Sequence, residues 1–180
     1  SFIAMSDRAW DAQKTSNLPK FYLDLSVYRK TVAKDSNPFT PAVNLYFALE
    51  KALEIMQSDG LESIFARHAR HSAAAQEGMK AMGLPIFSAE GFGSPAITAV
   101  APKDIDAELL RKEVKERFDI LLAGGQDHLK GKVFRIGHLG FVGDRDVLTA
   151  IAAIESTLHN LGLQTTEMGA GINAASIALK

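Results

Sequence analysis

GKVFRIGHLG, residues 131–140, reads as a short buried strand: Val133, Phe134 and Ile136 suit a pleated surface, and Gly137 and Gly140 close it. Arg135 stands in its middle. A guanidinium is always charged and carries five donors, and burying it unpaired is costly. A carboxylate must therefore meet it. Either one of the chain's 21 acidic residues pairs with Arg135, or an acid arrives from outside. The residues alone leave both readings open. Lys132 lies three positions earlier, so strand alternation points it to the opposite face, and a surface role is expected in place of a Schiff-base role.

Outward from this strand, residues 84–162 read as strand, helix, strand, strand, helix. The strands fall at 96–101, 120–123 and 133–136, and the helices at 107–118 and 147–161. The last helix has an apolar stripe of Val147, Ile151, Ile154 and Leu158, with Asp144 as a candidate cap and Gly162 beyond its end. Two strands that follow one another without a helix between them favour an antiparallel or mixed sheet, covered by helices on one face. The expected class is α/β (α+β).

Upstream, two long helices are expected within 41–83. The first starts near Pro41, recurs apolar through Val43, Leu49, Leu53 and Met56, and stops at Asp59-Gly60. The second runs from Leu61 to Met82, with Gly83 as its stop. DSNPFTP, residues 35–41, is a loop, because each proline disfavours helical backbone at the residue before it. SFIAM at residues 1–5 reads as a strand, with Asp7 offering a cap for a short helix. Residues 21–34 mix β-branched and helix-forming types, and their state stays open. The Ala- and Gly-rich tail, 163–180, is expected to be mobile.

The 180 residues, 47% hydrophobic and 23% charged with a net charge of −1, suit a globular chain. No basic stripe offers itself to nucleic acid. No apolar run approaches the roughly 20 residues that span a bilayer, so no membrane partner is expected. The chain has no cysteine, hence no disulfide framework and no thiolate ligand, which suits a cytoplasmic protein.

Other constellations are weaker. His68 and His71 sit three apart on the second helix, a spacing that can chelate metal. Their neighbours Arg67 and Arg70 oppose cation binding, so a solvated helix face is expected and no metal. GFGS, residues 91–94, precedes a strand instead of opening a helix and reads as a turn. Asp104, Asp106, Glu108, Glu113 and Glu116 are spread around a surface helix, with nothing pairing them for acid–base work. Thr40, ahead of a helix, is a cap or an anion contact.

The order Asn37-Pro-Phe-Thr40-Pro-Ala-Val-Asn-Leu-Tyr-Phe-Ala-Leu, two long helices, Gly124-Gly125, GKVFRIGHLG and Asp144 resembles the C-terminal half of class V, fold-type I aminotransferases, in the alanine–glyoxylate and serine–pyruvate group. The resemblance reaches to about Gly162. It implies the small C-terminal domain of that fold (84–162), two linking helices (41–83) and a remnant of the large cofactor-binding domain (1–40). It further implies pyridoxal 5'-phosphate as cofactor, a homodimer, and transfer of an amino group from alanine or serine to glyoxylate or pyruvate.

By the same resemblance Arg135 matches the arginine that grips the substrate α-carboxylate. Thr40 matches a threonine reaching the cofactor phosphate across the dimer. Asn37 stands where relatives have a tyrosine that shares this task, a departure that leaves only its amide to donate. Gly124 and Gly125 match a turn near the substrate entrance. The Schiff-base lysine motif is absent from the chain, so these residues are expected to begin downstream of it and to be inactive alone. Cyanobacterial members of the group also carry the name of a soluble hydrogenase small subunit, which implies an interaction module as the alternative.

Overall fold

The computed structural model describes residues 2–163 and 166–180. The chain divides into two compact units, Ser1–Leu53 and Glu54–Lys180. In the first, α1 (Asp7–Thr15) is capped by Ser6, whose side chain accepts from the Ala9 N–H. Asp24 caps α2 (Leu25–Val32) in the same way, accepting from the Ser26 N–H at 3.0 Å. Arg29 of α2 lies over the Trp10 ring of α1, 4.6 Å from its centroid, a cation–π contact. Phe39 is gripped by Tyr22 at 4.6 Å, Phe21 at 5.8 Å and Tyr28 at 6.0 Å. These rings anchor the loop that carries Asn37 and Thr40. No described residue of this unit is fully buried.

α3 (Val43–Asp59) carries the chain into the second unit, where α4 (Leu61–Ala81) follows. α4 ends in a Schellman turn: Leu84 N–H reaches Met79 O at 2.9 Å and Gly83 N–H reaches Lys80 O at 2.9 Å. Gly83 takes φ +75° there, a conformation that favours glycine. β1 (Ile97–Val100), α5 (Ala107–Phe118), β2 (Ala123–Gly124), β3 (Phe134–Gly137), α6 (Asp144–Asn160) and α7 (Ala170–Ala178) complete the order. Among the described residues no helix is long and apolar enough to cross a membrane.

The sheet is antiparallel, in the order β1-β3-β2. Its registers pair Val100 and Gly124 with Phe134, and Ala99 and Ala123 with Arg135. Phe134, Val100 and Ile136 face the helices and are buried with Leu110, Val114, Ile151 and Ile154. Arg135 is on the opposite face, partly exposed. Period-two alternation thus separates a helix-covered side from an open one, as the sequence pattern predicts.

The structure corrects several expectations. Residues 2–6 form no strand, and Ser1 of the expected strand lies outside the described residues. Within 21–34 the chain forms α2, started by the Asp24 cap. The second strand of the sheet is shorter and later than the expected 120–123. α3 starts at Val43, with Ala42 O accepting from Tyr46 N–H at 3.3 Å. Thr40 therefore does not cap it.

Asp144 is the first residue of α6, not its cap; Gly143 holds that place, its N–H donating to Asp146 Oδ2 at 2.9 Å. In the tail expected to be mobile, Gln164 and Thr165 lie outside the described residues, but α7 packs on α4 and α6. The buried Glu155 carboxylate of α6 accepts the Gly171 N–H at 2.8 Å, an acid set against a helix start. The sequence pattern does not show this, because α7 is apolar on most sides and its anchor is sixteen residues away.

Phe134 is the largest of the fully buried side chains. Phe134→Ala should lower stability by about 3–5 kcal/mol, read as a lower urea midpoint by far-ultraviolet circular dichroism.

Candidate functional site

β3 places Arg135 between two methyl groups, Ala99 of β1 and Ala123 of β2, its directly opposed neighbours. Neither can neutralise a charge. Arg135 Nε donates to Gly124 O at 3.0 Å, and no Asp or Glu among the described residues pairs with the guanidinium. The bond has a backbone cause. Gly125 N–H bonds Val133 O at 2.8 Å, so in the alternation of an antiparallel ladder Gly124 occupies the non-bonded position and its carbonyl points out from the edge. Nε satisfies that carbonyl, and the two terminal nitrogens remain for another acceptor.

The same edge carries a second guanidinium. Arg111 of α5 donates Nε to Leu122 O at 2.8 Å and Nη1 to Glu108 Oε2 at 2.7 Å. Arg111 is therefore neutralised within the protein and Arg135 is not. An exposed arginine without a partner would be ordinary; one fixed by its Nε, half-buried, and paired with no acid among the described residues is suited to a carboxylate.

The strand exit is clamped from α4. Arg67 donates to Gly140 O at 2.8 Å and Val142 O at 3.0 Å. His68 Nδ1 lies 2.7 Å from Ile64 O, which makes Nδ1 the protonated nitrogen and leaves Nε2 to accept from Gly140 N–H at 3.0 Å. His71 Nε2 is 2.8 Å and Arg70 Nη2 3.0 Å from Asp144 Oδ1. The solvated face expected for His68 and His71 is thus overturned: both are buried, and their partners, Gly140 on the β3–α6 connection and Asp144 at the start of α6, lie 72 and 73 residues on. Spacing along α4 carries no sign of what packs on it, so the sequence gives no signal for this clamp.

His138, fully buried, has Nε2 at 2.9 Å from Thr98 Oγ1. Burial holds its imidazole below the ordinary 6.5, against the opposing hydrogen bond to the Pro95 backbone. Asp144 is held below its ordinary 3.8 by the hydrogen bonds from His71 and Arg70.

Asn37 and Thr40 belong to the first unit and are exposed, an amide and a hydroxyl suited to an anion. Every lysine of the chain is exposed. An imine-forming lysine sits in a desolvated pocket, a setting that none of these exposed lysines has. A groove of ≈450 Å³ beside α6 does not include Arg135; its walls include Leu122, Ile136, Val142 and Val147 together with the charged Arg145 and Asp146.

No protein-family model matches the chain. A protein of Synechococcus sp. named soluble hydrogenase, small subunit, is 58% identical over 99% of this chain and 47% of its own length. A serine–glyoxylate aminotransferase of Arabidopsis thaliana is 35% identical over 99% of this chain and 45% of its own. The crystal structure of pyridoxamine-pyruvate aminotransferase from Mesorhizobium loti superposes with a TM-score of 0.88 at 30% identity, covering 97% of this chain and 46% of that one. The chain spans about half the length of the curated relatives it matches.

The lowered His138 value sets a pH dependence. The unfolded imidazole binds a proton as pH falls through 6.5 while the native one resists, so stability is full above 6.5 and declines below it. Asp144 adds a second loss only below 3.8. The urea midpoint should fall between about pH 7 and about pH 5, and His138→Gln should flatten that interval while leaving the loss at lower pH.

Proposed function

We propose, for a chain that belongs by homology over nearly its whole length to the class V aminotransferases, with the fold of the fold-type I C-terminal domain, that it serves as the substrate-carboxylate half of a pyridoxal-phosphate-dependent transaminase. The donor is a small amino acid, alanine or serine, and the acceptor glyoxylate or pyruvate. The observation that carries this reading is the Arg135 fork, held at Nε by Gly124 O and matched to no internal acid.

A carboxylate meeting the two terminal nitrogens makes parallel charge-assisted bonds, which fix both the position and the plane of the substrate. Orientation of this kind converts a collision into a unimolecular approach of the amine to its target. The methyl groups of Ala99 and Ala123 leave that approach sterically open. Across a dimer, Thr40 and Asn37 offer a hydroxyl and an amide to the cofactor phosphate of the other subunit. Pyridoxal phosphate, when bound, supplies the electron sink of the reaction, and its lysine comes from polypeptide beyond these 180 residues.

A homodimer is the natural setting. Phe21, Tyr22, Leu45, Tyr46 and Phe47 are exposed in a unit with no buried residue among those described, an apolar surface that calls for cover.

The hydrogenase name of some relatives suggests an interaction module instead. Thiolate ligation of a nickel–iron or iron–sulfur centre cannot come from a chain without cysteine, so any such role would be by association.

In the full-length protein Arg135→Gln should raise KM for alanine about 100-fold, with a smaller change in kcat, measured by coupled assay. The 180-residue chain with added pyridoxal phosphate, alanine and glyoxylate should show no turnover, and turnover would overturn the reading.

A further inference from the structure

We infer that the Glu108–Arg111 pair of α5 is a positioning element for the carboxylate site, acting on Arg135 through the edge of β2. The inference rests on the reading of Arg135 as the substrate-carboxylate residue and adds what sets its geometry.

The Gly124 carbonyl is the acceptor that orients Arg135 Nε, so where that oxygen sits decides where the fork points. Gly124 is in an edge strand of two residues, too short for its ladder alone to hold it. What holds it on the helix side is α5. Arg111 Nε takes Leu122 O at 2.8 Å, the neighbouring outward carbonyl two residues before, and Glu108 locks Arg111 at 2.7 Å.

The fit against the strand is close. A Cβ at Gly124 would stand 2.5 Å from Arg111 Nη1 and 2.7 Å from Glu108 Oε1. A Cβ at Gly125 would stand 2.1 Å from Leu129 O. The pair thus occupies the volume a side chain would need, and glycine at 124 is the condition for the pair to reach the strand.

Charge supports the same assignment. Two guanidinia bind alternate carbonyls of one edge, and their mutual repulsion is relieved only at Arg111, by Glu108. Glu108 keeps the positive field of the edge concentrated on Arg135. It also gives Arg111 a partner, so an incoming acid meets one unsatisfied fork instead of two. Arg111 and Glu108 touch no substrate; their effect passes through the Gly124 carbonyl.

The test uses the full-length protein and two readouts that separate carboxylate binding from chemistry: KM against kcat for alanine, and competitive inhibition by propionate, which has the carboxylate without the amine. Arg111→Met should weaken propionate and raise KM about tenfold with kcat within about threefold. Gly124→Ala, whose methyl displaces the flexible ends of Arg111 and Glu108, should act in the same direction with little change in melting temperature. Glu108→Gln, which keeps an acceptor for Arg111 but removes the neutralising charge, should weaken propionate less than Arg111→Met does.

Arg135→Met is the reference. If it weakens propionate while Arg111→Met and Gly124→Ala do not, the positioning role is overturned and the carboxylate reading stands. If Arg135→Met leaves propionate affinity unchanged, the carboxylate reading itself fails. Should Arg111→Met not fold, Gly124→Ala alone decides.

Discussion

One edge carbonyl holds one nitrogen of Arg135, and no acid among the described residues holds the other two. An ion pair inside the sheet would have been the simpler way to place an arginine beside Phe134 and Ile136. It would also have spent the charge. Satisfying Nε with a backbone oxygen removes a rotational freedom without neutralising the guanidinium, so orientation and charge are both kept. The contrast with Arg111, whose fork is closed by Glu108 on the same strand edge, shows that the protein can pair an arginine there and does so on one face only.

A fork so held is useful only if its strand does not move. β3 is central in the sheet, and its exit is tied to α4 by Arg67, His68, Arg70 and His71, all on neighbouring turns of that helix. Neutral hydrogen bonds contribute roughly 1 kcal/mol each and charged ones about 1.5–3 kcal/mol; leaving such groups unpaired in a buried site costs at least as much. The clamp therefore selects one path for residues 138–143 over others. It passes its order to α6 through Asp144, whose carboxylate is shared by His71 and Arg70.

The long helices are legible in the sequence because their signals are local. Apolar recurrence at three and four, Gly60 and Gly83 as stops, and the stripe of α6 all lie within a few turns of one another. The antiparallel sheet is legible from strand succession, and the peculiarity of Arg135 from its apolar neighbours. The inward-facing histidines of α4 are not, because burial is a property of the partner surface. The same holds for α7, tied down by Glu155, and for Thr40, which lies ahead of α3 without capping it.

Residue type and short-range periodicity suffice to put a guanidinium in a buried strand, to set two long helices ahead of a small antiparallel sheet, and to exclude thiolate chemistry from this chain. Packing was needed for the rest. It holds Arg135 by a carbonyl instead of an acid, turns His68 and His71 inward, and closes the tail on α4. Each of these depends on groups far apart in the chain being brought within hydrogen-bonding or van der Waals distance, and separations of about 3 Å are set by how elements pack, not by order along the polypeptide.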